Sequence, residues 1–130
     1  MQLNLTLAVT DLKNTEWFYR EVLLLSPEFV QNSNAEDSYL ILSVEQMKIV
    51  FQPLTAMEAQ HPALLQNLTR DHLGVGVQLE MSCHNLDDIY RLVNHYHWPI
   101  CYELEDYEHH RRELWLQDPD GYLLVLNEEK

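Results

Sequence analysis

The sequence carries the same local pattern twice. Phe18-Tyr19-Arg20-Glu21-Val22 and Ile89-Tyr90-Arg91-Leu92-Val93 are similar stretches set 71 positions apart, Tyr19 against Tyr90. Each follows an apolar strand pattern and precedes several short ones. Residues 2–9 are apolar and strand-like, and they end at Thr10-Asp11, both good helix-capping types. Leu12, Phe18/Tyr19 and Val22/Leu23 then recur near helical spacing, which predicts a helix over 11–24, stopped by Pro27. Strands are predicted at about 28–32, 38–44 and 47–52, with turns at Asn32-Ser33-Asn34 and Glu45-Gln46. His61-Pro62 opens a short helical connector at 62–69.

The pattern restarts at Gly74. From there to Ser82 a strand puts Val77, Leu79 and Met81 on one face and Gln78, Glu80 and Ser82 on the other. Asn85 is placed to cap a helix carrying Leu86, Ile89/Tyr90, Val93 and Tyr96. Strands at 99–103, 111–117 and 122–127 complete the copy, with Asp118-Pro119-Asp120-Gly121 turning between the last two. Each copy is too small to bury its own sheet, so two modules packed together are expected. The expected fold is α+β: two tandem βαβββ modules forming a cupped, mostly antiparallel sheet, with helices on the outer face. One domain is expected over 1–130, with module 1 at about 1–60 and module 2 at about 71–130.

Composition narrows the function classes. Eight Lys and Arg against 21 Asp and Glu give a formal charge of −13. That field repels nucleic acid and anionic membrane and favours cationic ligands at long range. Solvation alone also produces acidic loops and tails, and the acids gather late, at Glu103, Glu105, Asp106, Glu108, Asp118, Asp120, Glu128 and Glu129. No apolar run approaches the roughly 20 residues that span a bilayer. The first residues have no basic segment before an apolar stretch, so a cytoplasmic protein is expected. Cys83 and Cys101 are expected as buried, reduced thiols rather than a disulfide.

Three stretches resemble the glyoxalase/bleomycin-resistance/dioxygenase (vicinal oxygen chelate) superfamily. Leu7-Ala8-Val9-Thr10-Asp11-Leu12, with Trp17 to Leu23, is similar to its opening strand and helix. Leu86-Asp87-Asp88-Ile89-Tyr90 is similar to the start of its second helix. Arg112 to Leu124, through Asp118-Pro119-Asp120-Gly121, is similar to its closing hairpin, the most specific of the three. Enzymes of that superfamily hold a divalent metal in the cup with His or Glu on four strands, and the metal stabilises an oxyanion. The resemblance assigns those positions here to Asn4, a residue near Ile49, Gln78 and Val125. None is His, Asp, Glu or Cys; amide carbonyls are weak neutral ligands, and valine and isoleucine are none. One alternative keeps a histidine. His72 lies six residues before Gln78, so a longer or slid strand brings it into the cup.

Other constellations carry less. His95/His97 and His109/His110 are read as exposed histidines whose rings diverge, the second pair beside Arg111-Arg112. No Gly-x-Ser-x-Gly elbow or phosphate-binding glycine loop occurs, and neither cysteine has a catalytic signature. By strand parity the cup lining comprises Asn4, Thr6, Gln78, Glu80, Glu113, Trp115 and Val125, with Tyr39 and Phe51 as further candidates. Glu80 and Glu113 suit a cation, Trp115 suits a planar ring, and Glu113 equally suits an ion pair with Arg111 or Arg112.

The expectation is a metal-independent, cofactor-free small-molecule binder, similar to drug-sequestering bleomycin-resistance-type members that act as dimers. Its ligand is expected to be cationic and aromatic. This chain lacks the Pro-Trp-Gly of those members before the closing strand and has Glu108-His109-His110-Arg111 instead. The alternative is a divergent metal-dependent lyase, isomerase or dioxygenase of the same fold.

Overall fold

A computed structural model describes residues 1–31, 38–60, 62–65 and 73–129. The expected turn at Asn32-Ser33-Asn34, the latter part of the 62–69 connector and His72 lie outside them. The chain divides into two compact units, Met1–Leu73 and Gly74–Lys130. The repeat is real in three dimensions: each unit is a four-stranded mixed sheet with helices, and together they make an α+β fold of two repeated modules.

The first unit contains β1 (Asn4–Val9), α1 (Leu12–Trp17), β2 (Glu28–Val30), β3 (Tyr39–Val44), β4 (Met47–Pro53) and the short helices α2 (Leu54–Gln60) and α3 (Pro62–Leu65). Its strand order is β1-β4-β3-β2, with β1 parallel to β4 and the other pairs antiparallel. Asp11 caps α1 as its residue type predicts: Oδ1 accepts from the backbone N–H groups of Lys13 (2.9 Å) and Asn14 (3.2 Å). The expected single helix over 11–24 instead widens after Trp17 into a π-helical stretch, Phe18–Val22. There the Leu23 N–H reaches back five residues to the Phe18 carbonyl. Phe18, Tyr19, Val22 and Leu23 are all buried as a result, and the Tyr19 ring lies 4.9 Å from Phe51.

The second unit contains β5 (Gln78–Ser82), α4 (Leu86–His95), β6 (Ile100–Asp106), β7 (Arg111–Gln117) and β8 (Leu123–Glu129), in the order β5-β8-β7-β6. Again the first strand pairs in parallel with the last, and the others are antiparallel. Leu86, Ile89 and Val93 recur at helical spacing and form the buried stripe of α4. On the sheet, Leu79, Leu124 and Leu116 pair across three strands, as do Met81, Leu126 and Leu114. These two rows form the helix-side core.

The Asp118-Pro119-Asp120-Gly121 turn has a specific mechanism. Asp118 is buried, and its Oδ1 accepts from the N–H groups of Asp120 (2.9 Å) and Tyr122 (3.0 Å). Gly121 closes the turn at φ 91°, and Gly74 approaches so closely that a Cβ there would stand 2.6 Å from the Gly121 carbonyl oxygen.

Candidate functional site

Paired residues on neighbouring strands point to the same face of a sheet, so the register decides which side chains meet. In the second unit two rows run across the face opposite α4. One is Glu80–Val125–Trp115–Tyr102; the next is Ser82–Asn127–Glu113–Leu104. Gln78, Leu123 and Gln117 form a third row beyond the first. Gln78, Glu80, Glu113, Trp115 and Val125 therefore share one surface, built on four strands.

Its centre is tightly bonded. Trp115 Nε1 donates to Glu113 Oε2 at 2.9 Å, and Arg111 donates to Glu113 Oε1. The Glu113 side chain is only 6% exposed. The Trp115 N–H holds its carboxyl below the ordinary value of 4.5, and Arg111 adds to this; burial opposes both. Trp115 stands edge-to-face against Tyr102, ring centroids 5.2 Å apart, and Tyr102 is 49% exposed. On the other side Asn127 accepts from Ser82 Oγ at 2.8 Å and donates from Nδ2 to Glu80 Oε1 at 2.7 Å. The result is an aromatic and apolar strip beside a fixed polar belt.

Asn4, Thr6 and Tyr39 occupy the corresponding face of the first unit, beside Lys48, Val50 and Ile41. Phe51 does not. It pairs with Leu7 and Leu40 on the helix side, is 0% exposed, and packs on Tyr19. Ile49, paired with Leu5 and Leu42, is buried on that same side. The physical reason is the period of two: Lys48, Val50 and Gln52 alternate with Ile49 and Phe51, and the larger apolar pair takes the core.

Arg111 pairs with Glu113, whereas Arg112 lies on the helix side, pairs with Asp87 and has its guanidinium carbon 5.6 Å from the Tyr90 ring centroid. Both cysteines are free, but Cys101 is exposed rather than buried, at a bulge between Ile100 and Tyr102. Cys83 is half-buried, and that burial pushes its thiol up from its ordinary value. His109 pairs with Asp106 at 2.8 Å, which draws that carboxyl down. Asn127, Ser82, Tyr102 and Leu104 were missed. Continuing the strand parity of Val125 to 127 finds Asn127, and extending β6 past residue 103 finds Leu104; Tyr102 already lies within the expected strand, and the alternation of β5 displays Ser82.

No protein-family profile matches the sequence, and no curated protein does. Solved structures match it over its whole length. A superfamily member from Sphaerobacter thermophilus, described as glyoxalase/bleomycin resistance protein/dioxygenase, has TM-score 0.68 at 16% identity, covering 99% of this chain and 97% of that one. A lactoylglutathione lyase from Agrobacterium tumefaciens has TM-score 0.65 at 17% identity, covering 98% and 92%. The chain has the glyoxalase/bleomycin-resistance/dioxygenase fold. A genomically encoded fosfomycin resistance protein from Listeria monocytogenes shares the fold at TM-score 0.61 and 15% identity, covering 100% and 93%.

The register relates, within each unit, the metal positions that the resemblance implies. In the second unit Gln78 stands two residues before Glu80, which pairs with Val125. In the first, Asn4 stands two residues before Thr6, which pairs with Val50. The fourth position is thus Val50 rather than Ile49. In each unit the pair is one amide and one valine, and such a pair does not fit a divalent metal. Among the described residues no three His, Cys, Asp or Glu side chains gather as a metal would need. Nor is any described helix long and apolar enough to cross a membrane.

Proposed function

We propose that this protein binds and sequesters a small molecule, without a metal or cofactor, on the face carrying Glu80, Glu113, Trp115 and Val125. The observation that carries the reading is the Glu113–Trp115–Tyr102 arrangement. A buried carboxylate fixes an indole, and the indole stands against a half-exposed phenol. A planar ligand meets an aromatic surface that is already ordered, so little rotamer freedom is lost on binding. Gln78 and Leu123 extend the floor, and Asn4, Thr6 and Tyr39 offer a second lining in the first unit. The acidic charge of −13 favours a cationic ligand.

We take the protein to be a cytoplasmic homodimer with no nucleic-acid or membrane partner. The fold's drug-sequestering type supports the first part, and the free thiols and acidic charge agree with the rest.

The test is a thermal-shift and fluorescence screen of cationic, neutral and anionic aromatic compounds in the presence of chelator. Stoichiometric binding of cationic aromatics, lost in Trp115→Ala, with the compound recovered unchanged, is expected. Binding that needs added metal, or conversion of the compound, favours the lyase, isomerase or dioxygenase alternative instead.

A further inference from the structure

Two carboxylates of this face, Glu80 and Glu113, are not equivalent. Glu113 has both oxygens engaged, Oε1 by Arg111 and Oε2 by Trp115 Nε1. It is buried, and its charge is matched by the neighbouring guanidinium. With each oxygen already accepting a bond and the side chain 6% exposed, little of it is open to a ligand. Glu80 is exposed, and only its Oε1 is engaged, by Asn127 Nδ2. Among the described residues its Oε2 accepts no hydrogen bond, and no Lys, Arg or His pairs with it. The Ser82 hydroxyl donates to Asn127 Oδ1, which fixes which end of the amide faces Glu80. A donor from Asn127 therefore aims Glu80 and leaves one charged oxygen open.

Resting on the binding reading above, we propose that Glu80 is the residue that selects a cation on this face, while Glu113 is a positioning residue that acts through Trp115. Glu80 and Trp115 belong to one row and are separated only by Val125 on β8. Two strand spacings put their backbones about 10 Å apart. The ligand class follows: an aromatic ring resting on Trp115 and Tyr102, and a protonated amine at Glu80 Oε2, joined by an aliphatic link that spans Val125, itself only 3% exposed between them. Four methylenes between ring and nitrogen span the gap once the reach of the carboxylate is subtracted.

The test uses three matched probes, phenylbutylamine, phenylbutanol and phenylbutyrate, titrated into the full chain with chelator present. A Trp17→Phe/Trp98→Phe background makes Trp115 the sole indole emitter. The amine is expected to bind roughly tenfold more tightly than the alcohol, the size of one charge-assisted hydrogen bond at a partly open site. The carboxylate is expected to bind worst. In Glu80→Gln the amine and alcohol affinities become equal, and that for the alcohol is unchanged.

Glu113→Gln behaves differently. Its amide nitrogen must face either Arg111 or the indole N–H, both donors, so one bond is lost. Amine and alcohol then weaken together, by roughly fivefold, and Trp115 emission shifts. In a Trp115→Phe background, with no N–H to hold and binding read by calorimetry, Glu113→Gln has no further effect on either probe. Selectivity for the amine that survives Glu80→Gln overturns the assignment of Glu80. Selectivity that disappears in Glu113→Gln overturns the division of roles. If none of the three probes perturbs Trp115, while compounds in the wider screen do, the proposed ligand class is wrong and the binding reading stands. If nothing in either set binds, the binding reading itself falls.

Discussion

The Glu128 carboxylate accepts a hydrogen bond from the backbone N–H of Leu86 at 3.1 Å, so α4 is capped by the last strand and not by its own Asn85. Asn85 occupies the N-cap position but makes no side-chain capping bond. An anionic acceptor at a helix N-terminus also meets the favourable end of the helix dipole. Glu128→Ala is therefore expected to lower stability by about 1 kcal/mol, and Asn85→Ala by much less. Chemical denaturation of both variants checks this; equal losses would mean that the cap is not Glu128.

Arg112 ties the same helix to the sheet a second time. Its side chain is 12% exposed, pairs with Asp87 and lies over Tyr90, and the pairing raises the guanidinium further above its ordinary value. Arg112→Lys keeps the charge but loses the planar stack and the fork, at an expected cost of about 1 kcal/mol. Arg112→Met should cost more, since Asp87 then loses its partner. A lysine variant as stable as the parent would show that charge alone matters.

Glu113 makes stability depend on pH in a defined direction. Its folded carboxyl titrates below 4.5 because of Trp115 and then Arg111. The stability it contributes is complete above its unfolded value and is lost as pH falls through the depressed folded value. Denaturation midpoints of the parent and of Glu113→Gln should thus differ at neutral pH and converge in acid. A gap that persists or widens on acidification contradicts the assignment.

Gly74 and Gly76 are a matched test of backbone approach. At Gly76, φ is 77° and a Cβ would meet nothing within 4 Å, so Gly76→Ala is expected to cost about 1 kcal/mol from the left-handed backbone alone. At Gly74 the same substitution also drives a Cβ to 2.6 Å from the Gly121 carbonyl oxygen. Thermal unfolding should rank Gly74→Ala well below Gly76→Ala; the reverse order would mean that the loop moves aside freely.

Metal titration separates the binding reading from its alternative. Chelator-stripped protein titrated calorimetrically with Zn²⁺, Ni²⁺, Mn²⁺ and Fe²⁺ is expected to show no stoichiometric site, since the positions that the resemblance implies hold an amide and a valine in each unit, Asn4 with Val50 and Gln78 with Val125. A tight site that disappears in His72→Ala would revive the enzyme.

Much of the architecture could be read because it rests on periodicity. The Tyr19–Tyr90 repeat and the alternation along β5 are local patterns, and the strands at 39–44, 47–53 and 111–117 fall within a residue of expectation. The widened turn at Phe18–Val22 was not legible, since a single helical period hides an extra residue per turn. Helix α2 was missed because Leu54 to Gln60 has no buried stripe to mark it. For the face of the second unit, parity brought Gln78, Glu80, Glu113, Trp115 and Val125 together. Phe51 failed because Ile49 and Phe51 form the core face of β4, while Lys48, Val50 and Gln52 take the other. The bonds that differentiate Glu80 from Glu113 depend on Asn127 and Arg111, residues whose roles arise only from cross-strand register.

The parallel pairing of β1 with β4 and of β5 with β8 also sets an order of assembly. The β6–β7 hairpin closes over the short Tyr107–His110 turn and can form early. Strand β5 has no partner until β8 arrives, some 45 positions later at Glu80 and Val125. During synthesis each unit therefore holds its first strand in waiting, and loop closure over that distance, rather than local propensity, governs how fast the unit completes itself.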